Sequence, residues 1–265
     1  MRRFSLCLRG GVPGASEVGQ EGPGAGMCEW VVHEVEPMLV VVAERTMPTL
    51  GTAVEAEIER LWQEARSRLG DALFNGRVFS AERITPRRVT GHFTEFRRIV
   101  AQVARPVLFA TLGLRPLAVN GVVRLRDGIL LGRRSLRTAH QAGKWQLPPA
   151  GSVDPGAADE HGNIDLAAQL LKELREEVGI AAERKWLEPP IAIIEHPGTH
   201  VLDIGIPVTV PMDGAEALAL HARFGDGEYA PLRVVAEAEF PTMLAELGDE
   251  VVPSTAIFLR RLGVV

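Results

Sequence analysis

Apolar positions recur along this chain with two different periods. From 38 to 44, MLVVVAE is an apolar, β-branched run of strand length. Between Thr52 and Leu69, Val54, Ile58, Leu61, Trp62, Ala65 and Leu69 recur near a helical period, and Gly70 is placed to stop the helix. LFNGRVFSAERITPRRVTGHFTEF (73–96) alternates around turn signals and predicts a hairpin or small sheet, followed by a helix over 94–104. In PLAVNGVVRLRDGILLGRRS (116–135), Asp127-Gly128 separates two strands. WQLPPAGSVDPG (145–156) begins like a strand and becomes rich in turn residues. A helix then runs from its cap at Asp165 to Val178 and stops at Gly179. Strands over 191–196, 200–210 and 231–237 and helices over 213–222, 240–247 and 253–262 complete the pattern. Strands on both sides of a central helix predict a mixed α/β domain.

The glycine-rich stretch over 10–26 has few bulky residues and reads as a flexible leader, taken as 1–27. Met27 follows it directly and is an alternative start to Met1. The texture changes near residue 110, which divides the rest into an N-terminal subdomain (28–110) and a second domain (111–265). A net charge of −5 argues against general nucleic-acid binding while leaving room for a small phosphate ligand held by local arginines. Two cysteines, Cys7 and Cys28, make neither a disulfide framework nor a zinc pattern, so a cytoplasmic setting is expected. The opening MRRFSLCLRGG is too broken for a signal peptide, and no apolar run is long enough to span a bilayer, so no membrane partner is expected.

Candidate chemistry concentrates in KELREEVGI (172–180). On a helix, Glu173, Glu176 and Glu177 are i, i+3 and i+4 and project from one face. Leu166, Leu170, Leu171, Leu174 and Val178 fasten the opposite face to a core. Like charges one turn apart repel, and acids at a helix C-terminus oppose its dipole. Lys172 and Arg175 offset only part of this. The acids are therefore either a solvated face or a site for a hard divalent ion, which prefers carboxylate oxygens.

At this segment the chain resembles the Nudix hydrolase family, whose signature is G-x5-E-x7-R-E-U-x-E-E-x-G-U. Lys172 to Ile180 matches every fixed position of the second half except the first, where Lys172 stands for Arg. Gly151, in LPPAGSVDPG (147–156), takes the place of the first glycine. The intervening loop is about seven residues too long, and the early Glu falls at Ile164, beside Asp165. The resemblance implies an α/β/α sandwich around a mixed sheet, here with an N-terminal α+β subdomain. It implies cleavage of a small-molecule diphosphate with Mg²⁺ or Mn²⁺. Glu173 and Glu177 would then be the principal ligands, with Glu176 sharing and the carbonyl of Ala150 as a backbone ligand. By analogy with many members, it also implies a homodimer.

The substrate is less defined. Arg133 and Arg134 end a strand and must face opposite ways, so one is a candidate to grip a phosphate. The register of 130–151 resembles coenzyme A-type members, with Arg134, Ser135, Gly143 and Pro148 in place but Ala139 and Leu147 departing. LFNGRVF (73–79), VTGHFTEF (89–96) and LGLRPLAVNGVVRLRDG (112–128) are similar in layout to UDP-glucose pyrophosphatase-like members. The resemblance in layout implies a UDP-sugar as substrate, beside coenzyme A or ADP-ribose as alternatives, and leaves Phe74, Asn75 and Gly76 as a structural turn or part of a sugar pocket. Trp145, before the glycine loop, is a core residue or a base platform, His140 is a surface group or a phosphate contact, and His196 ends a strand beside Glu195. Glu176 and Glu195 are candidates for the base. Two rivals remain. A Nudix-fold isomerase would in its best-known form use a core cysteine, which is missing after Cys28, and a non-catalytic ligand sensor would usually have lost some of the glutamates.

Overall fold

A computed structural model describes residues 30–69, 73–136 and 141–265. The leader over 1–27, Cys7, Cys28, Gly70, Ala139 and His140 lie outside the described residues. The chain begins with two strands, β1 (Val31–His33) and β2 (Val40–Arg45), and a long helix, α1 (Thr52–Leu69). A hairpin of β3 (Arg77–Ile84) and β4 (Arg88–Glu95) leads into α2 (Phe96–Ala104) and the short α3 (Phe109–Leu112). β5 (Leu117–Arg124), β6 (Ile129–Arg134), β7 (Trp145–Gln146) and β8 (Ala150–Ser152) come next, before the helix α4 (Leu166–Glu173). The chain continues through β9 (Ala192–Glu195), β10 (Leu202–Thr209), α5 (Gly214–Phe224), β11 (Tyr229–Val235), α6 (Phe240–Leu247) and α7 (Pro253–Arg261).

One mixed sheet runs β1-β9-β10-β5-β6-β11, with β10 and β5 parallel. Period-two alternation gives this sheet two apolar faces. Leu117, Val119, Leu130 and Ile204 face a core completed by Leu166, Leu170 and Leu174 of the Nudix-like segment. Val122, Ile129 and Leu131 face a second core closed by Phe240 of α6 and Phe258 and Leu259 of α7. Helices thus pack on both sides of a mixed sheet, as the family resemblance implies. A small sheet, β2-β4-β3, takes up most of the N-terminal strands, with α1 and α2 packed together beside it. β1 instead joins the far edge of the large sheet through β9. Val41, Phe79, Ala81, Val89 and Phe93 of the small sheet share the core that holds Leu117 and Leu170.

Two departures from regular pairing shape the site. β5 and β6 pair only where Arg124 meets Ile129, and the segment over 145–152 fills the fork between them: β7 pairs with β6 and β8 with β5. The second is the long loop ahead of α4. Its Gly162 carbonyl accepts from the Ala43 amide at 2.8 Å, and the Ile164 amide donates to the Val41 carbonyl at 2.9 Å. The extra residues therefore bridge to the edge of β2, opposite Val42. No helix among the described residues is long and apolar enough to cross a membrane.

Candidate active site

α4 starts where Asp165 caps it: its Oδ1 accepts from the Ala168 amide at 2.9 Å. The helix does not continue regularly to Val178. Residues Leu174–Val178 form a π-helical turn, ended by Gly179 in the left-handed region at φ +83°. A π turn takes roughly 4.4 residues, against 3.6 for an α turn. Glu177 then falls almost beneath Glu173, and Glu176 is rotated roughly a quarter of a circle aside. The observed exposures agree: Glu173 and Glu177 are buried and Glu176 is half-buried. The spacing predicts three acids on one face, whereas the widened turn keeps two of them together and sets the third at the margin.

Both buried acids meet the turn around β8. The Glu177 Oε2 accepts from the Ala150 amide at 2.9 Å. A Cβ added to Gly151 would stand 2.3 Å from the Glu173 Cδ, so only glycine leaves room for that carboxylate. Gln169 donates to the Glu173 Oε1 at 2.5 Å. Burial pushes Glu173 up to about 7, helped by the charges of Glu176 and Glu228 and opposed by Lys172 and Gln169. Burial, then the charges of Glu228 and Glu173, holds Glu177 well above the usual carboxylate range against the Ala150 amide and Arg134. Lys172 reaches Asp154 at 2.6 Å and braces the loop rather than a glutamate.

Arg133 and Arg134 face opposite ways, as strand geometry requires. The Arg133 Nε donates to the Gly143 carbonyl at 2.8 Å and its Nη2 approaches Glu250 at 3.4 Å, away from the acids. Arg134 is buried, donates to the Gln146 Oε1 at 2.6 Å and pairs with Glu228 at 3.1 Å. Its guanidinium lies 6.0 Å from the ring centre of the fully buried Tyr229. Arg134, Ala150 and Gly151 line one pocket together with Trp30, His196 and Asp203.

The remaining candidates separate cleanly. Trp145 is buried in the second core under the Arg233 guanidinium at 4.7 Å, and Trp186 packs against the first core. Glu195 is held by His33 at 3.3 Å and His200 at 2.8 Å. Asn75 accepts from the Arg97 amide at 2.9 Å and the Gly76 carbonyl from that of Phe96 at 2.8 Å, so Phe74-Asn75-Gly76 is a turn that anchors the start of α2. Glu228, Asp203 and Trp30 escaped the sequence reading. Each is a lone residue on its own segment, and no spacing signals it.

The acids are chemically suited to a divalent ion. Buried Glu173 and Glu177 repel each other and the half-buried Glu228, which pairs with buried Arg134, and such repulsion is relieved by protonation or by a metal. As the side chains stand, no three His, Cys, Asp or Glu groups among the described residues are arranged to hold a metal ion.

No curated protein matches the chain. Among solved structures, a MutT protein from Methanosarcina mazei Go1 is 23% identical over 49% of this chain and 80% of its own, with a TM-score of 0.34. A bifunctional NMN adenylyltransferase/ADP ribose pyrophosphatase from Francisella tularensis, complexed with AMP and a Mn ion, is 13% identical over 64% of this chain and 49% of its own, with a TM-score of 0.40. Residues 114–204 match the family model described as the NUDIX domain, and this match supports the Nudix family for that part of the chain.

Proposed function

We propose that the protein is a divalent-metal-dependent hydrolase that cleaves a nucleoside diphosphate joined to another moiety. The observation that carries this reading is the convergence of buried Glu173 and Glu177 on the Ala150–Gly151 turn, with glycine required where the Glu173 carboxylate passes. Glu173 and Glu177, with Glu176 sharing and the Ala150 carbonyl completing the set, would hold Mg²⁺ or Mn²⁺. When bound, such an ion neutralises the diphosphate and makes water a nucleophile near neutral pH. Arg134, fixed by Glu228 and Gln146, presents a positive charge to the phosphates at the pocket wall. Glu176, half-buried at the margin, is the acid left with solvent access to accept the proton of the attacking water. Glu195, occupied by two histidines, is poorly suited to that task.

The test is a panel of UDP-glucose, ADP-ribose, NADH, coenzyme A and dinucleoside polyphosphates with Mg²⁺ or Mn²⁺, each with an EDTA control. EDTA-sensitive release of two phosphorylated products from one of them is expected. UDP-glucose well ahead of the others would support the UDP-sugar reading drawn from 73–96, and coenzyme A ahead would support the register of 130–151. Metal binding without turnover of any substrate would overturn catalysis in favour of a ligand-sensing domain.

A further inference from the structure

The outer side of the second core holds a groove that the candidate active site does not use. α6 and α7 turn Phe240, Phe258 and Leu259 inward, and their other faces, with the turn between them, form a groove of about 510 Å³. Its floor includes Leu244, Ala245, Val251 and Ala256. Ala245 and Gly248 are exposed along it, and a Cβ placed on Gly248 would meet nothing within 4 Å. Two lining side chains are charged, Asp249 after α6 and Arg260 in the last turn of α7, and both are exposed. Neither side chain has a hydrogen-bond or ion-pair partner among the described residues. Their neighbours in sequence do: Glu250 approaches Arg133 at 3.4 Å, and Arg261 pairs with Glu34. Val251 and Pro253 line the groove, while Val252 between them lines the pocket beside Arg134 and gives its amide to the Trp145 carbonyl at 2.8 Å. This turn is therefore one wall, with the groove on one side and the pocket on the other.

We propose that a second copy of this chain occupies the groove, related by a twofold axis that sets Asp249 of each copy against Arg260 of the other. The proposal is independent of the hydrolase reading. A twofold interface brings the same patch together from both copies, so the patch must be its own complement. This groove meets that condition, with an apolar floor flanked by one unpaired acid and one unpaired base. A groove built for nucleic acid or an acidic peptide would carry a surplus of cations, and one built for a basic peptide a surplus of acids. Alanine and glycine along the trough let a facing helix approach to about 8 Å, the near end of the range for packed helices. Burial of the floor supplies the affinity, and the exposed ion pairs set the choice of partner and the register. A copy seated there supports the wall of the pocket from behind.

Sedimentation velocity of the full chain over a concentration series up to about 100 µM tests it, the range in which small interfaces associate. A dimer that dissociates on dilution is expected. Asp249→Arg and Arg260→Asp each set like charges face to face, and each should weaken dimerisation about tenfold or more. The double variant Asp249→Arg/Arg260→Asp restores opposite charges and should dimerise like the native chain. Ala245→Glu puts an unpaired charge into the floor and should leave a monomer. All three positions are exposed, so each variant should melt near the native temperature, which circular dichroism checks. A monomer of the native chain at every concentration would overturn the proposal and leave the groove to another partner. A dimer of native strength in both single variants and in Ala245→Glu would place the interface elsewhere and overturn it. A double variant as weak as the single ones would overturn the pairing of Asp249 with Arg260, and with it the proposed arrangement.

Discussion

At the scale of single residues, chemistry follows from what each group has been denied. Glu173 has been denied water, and Gly151 has been denied a side chain so that Glu173 can occupy its place. Gly151 does not sit in the left-handed region, so alanine is tolerated by the backbone and resisted only by the carboxylate. Gly151→Ala should therefore cost about 1 kcal/mol of stability or less, because the far end of a flexible side chain can move. Its metal-dependent turnover should fall by about tenfold or more, because a small misplacement of a ligand is expensive in rate. Steady-state kinetics alongside thermal melts would check both halves. Asp203 gives a pH signature. Burial is the main cause that pushes it up to about 6, against the charge of Arg134. The folded state keeps this proton while the unfolded chain releases it near the ordinary value of 3.8, so stability is lost as pH rises through about 4 to 6. The fall in melting temperature between pH 4 and pH 7 should be larger for the native protein than for Asp203→Asn. Equal falls would remove Asp203 as the source.

At the scale of elements, the sequence is legible where a period or a spacing is strong. Thr52–Leu69 is helical over the expected span, and the strands around Asp127-Gly128 fall where the alternation puts them. The three glutamates are visible from spacing, and Gly151 from the family resemblance. The π turn over Leu174–Val178 is not, because a single widened turn leaves the apolar period almost intact while rotating Glu176 aside. The long loop before α4 reads as a departure from a motif, yet it bridges to the edge of β2, a contact that no local pattern encodes. Gly162 carries it. Its φ is +79°, and an added Cβ would meet the Ala43 carbonyl oxygen at 2.5 Å. Both penalties fall on backbone that cannot yield, so Gly162→Ala should destabilise by about 2 kcal/mol or more in denaturant unfolding. A loss under a few tenths of a kcal/mol would mean the bridge contributes nothing.

At the scale of the whole molecule, the small N-terminal sheet and the large sheet are stabilised as one. Phe79 and Val89 are fully buried in the same core as Leu117 and Leu170, and Glu34 pairs with Arg261 of the last helix. A shared core predicts a single cooperative unfolding transition by calorimetry, and an isolated 111–265 fragment that exposes apolar surface and binds a hydrophobic dye. Two separate transitions would show that the halves fold independently. Trp30 and Asp203, far apart in sequence, meet in one pocket because β1 pairs with β9 at the edge of the large sheet. The most direct test of the central claim is the initial rate of native protein and of Glu177→Gln on the best diphosphate of the panel, with Mg²⁺ and with EDTA. Gln keeps the shape of the buried side chain and removes its charge, so folding should be kept or improved. Turnover in the native protein should be EDTA-sensitive, and the variant should lose about a thousandfold or more at an unchanged or higher melting temperature. Metal-dependent turnover at the native rate in Glu177→Gln would contradict the account.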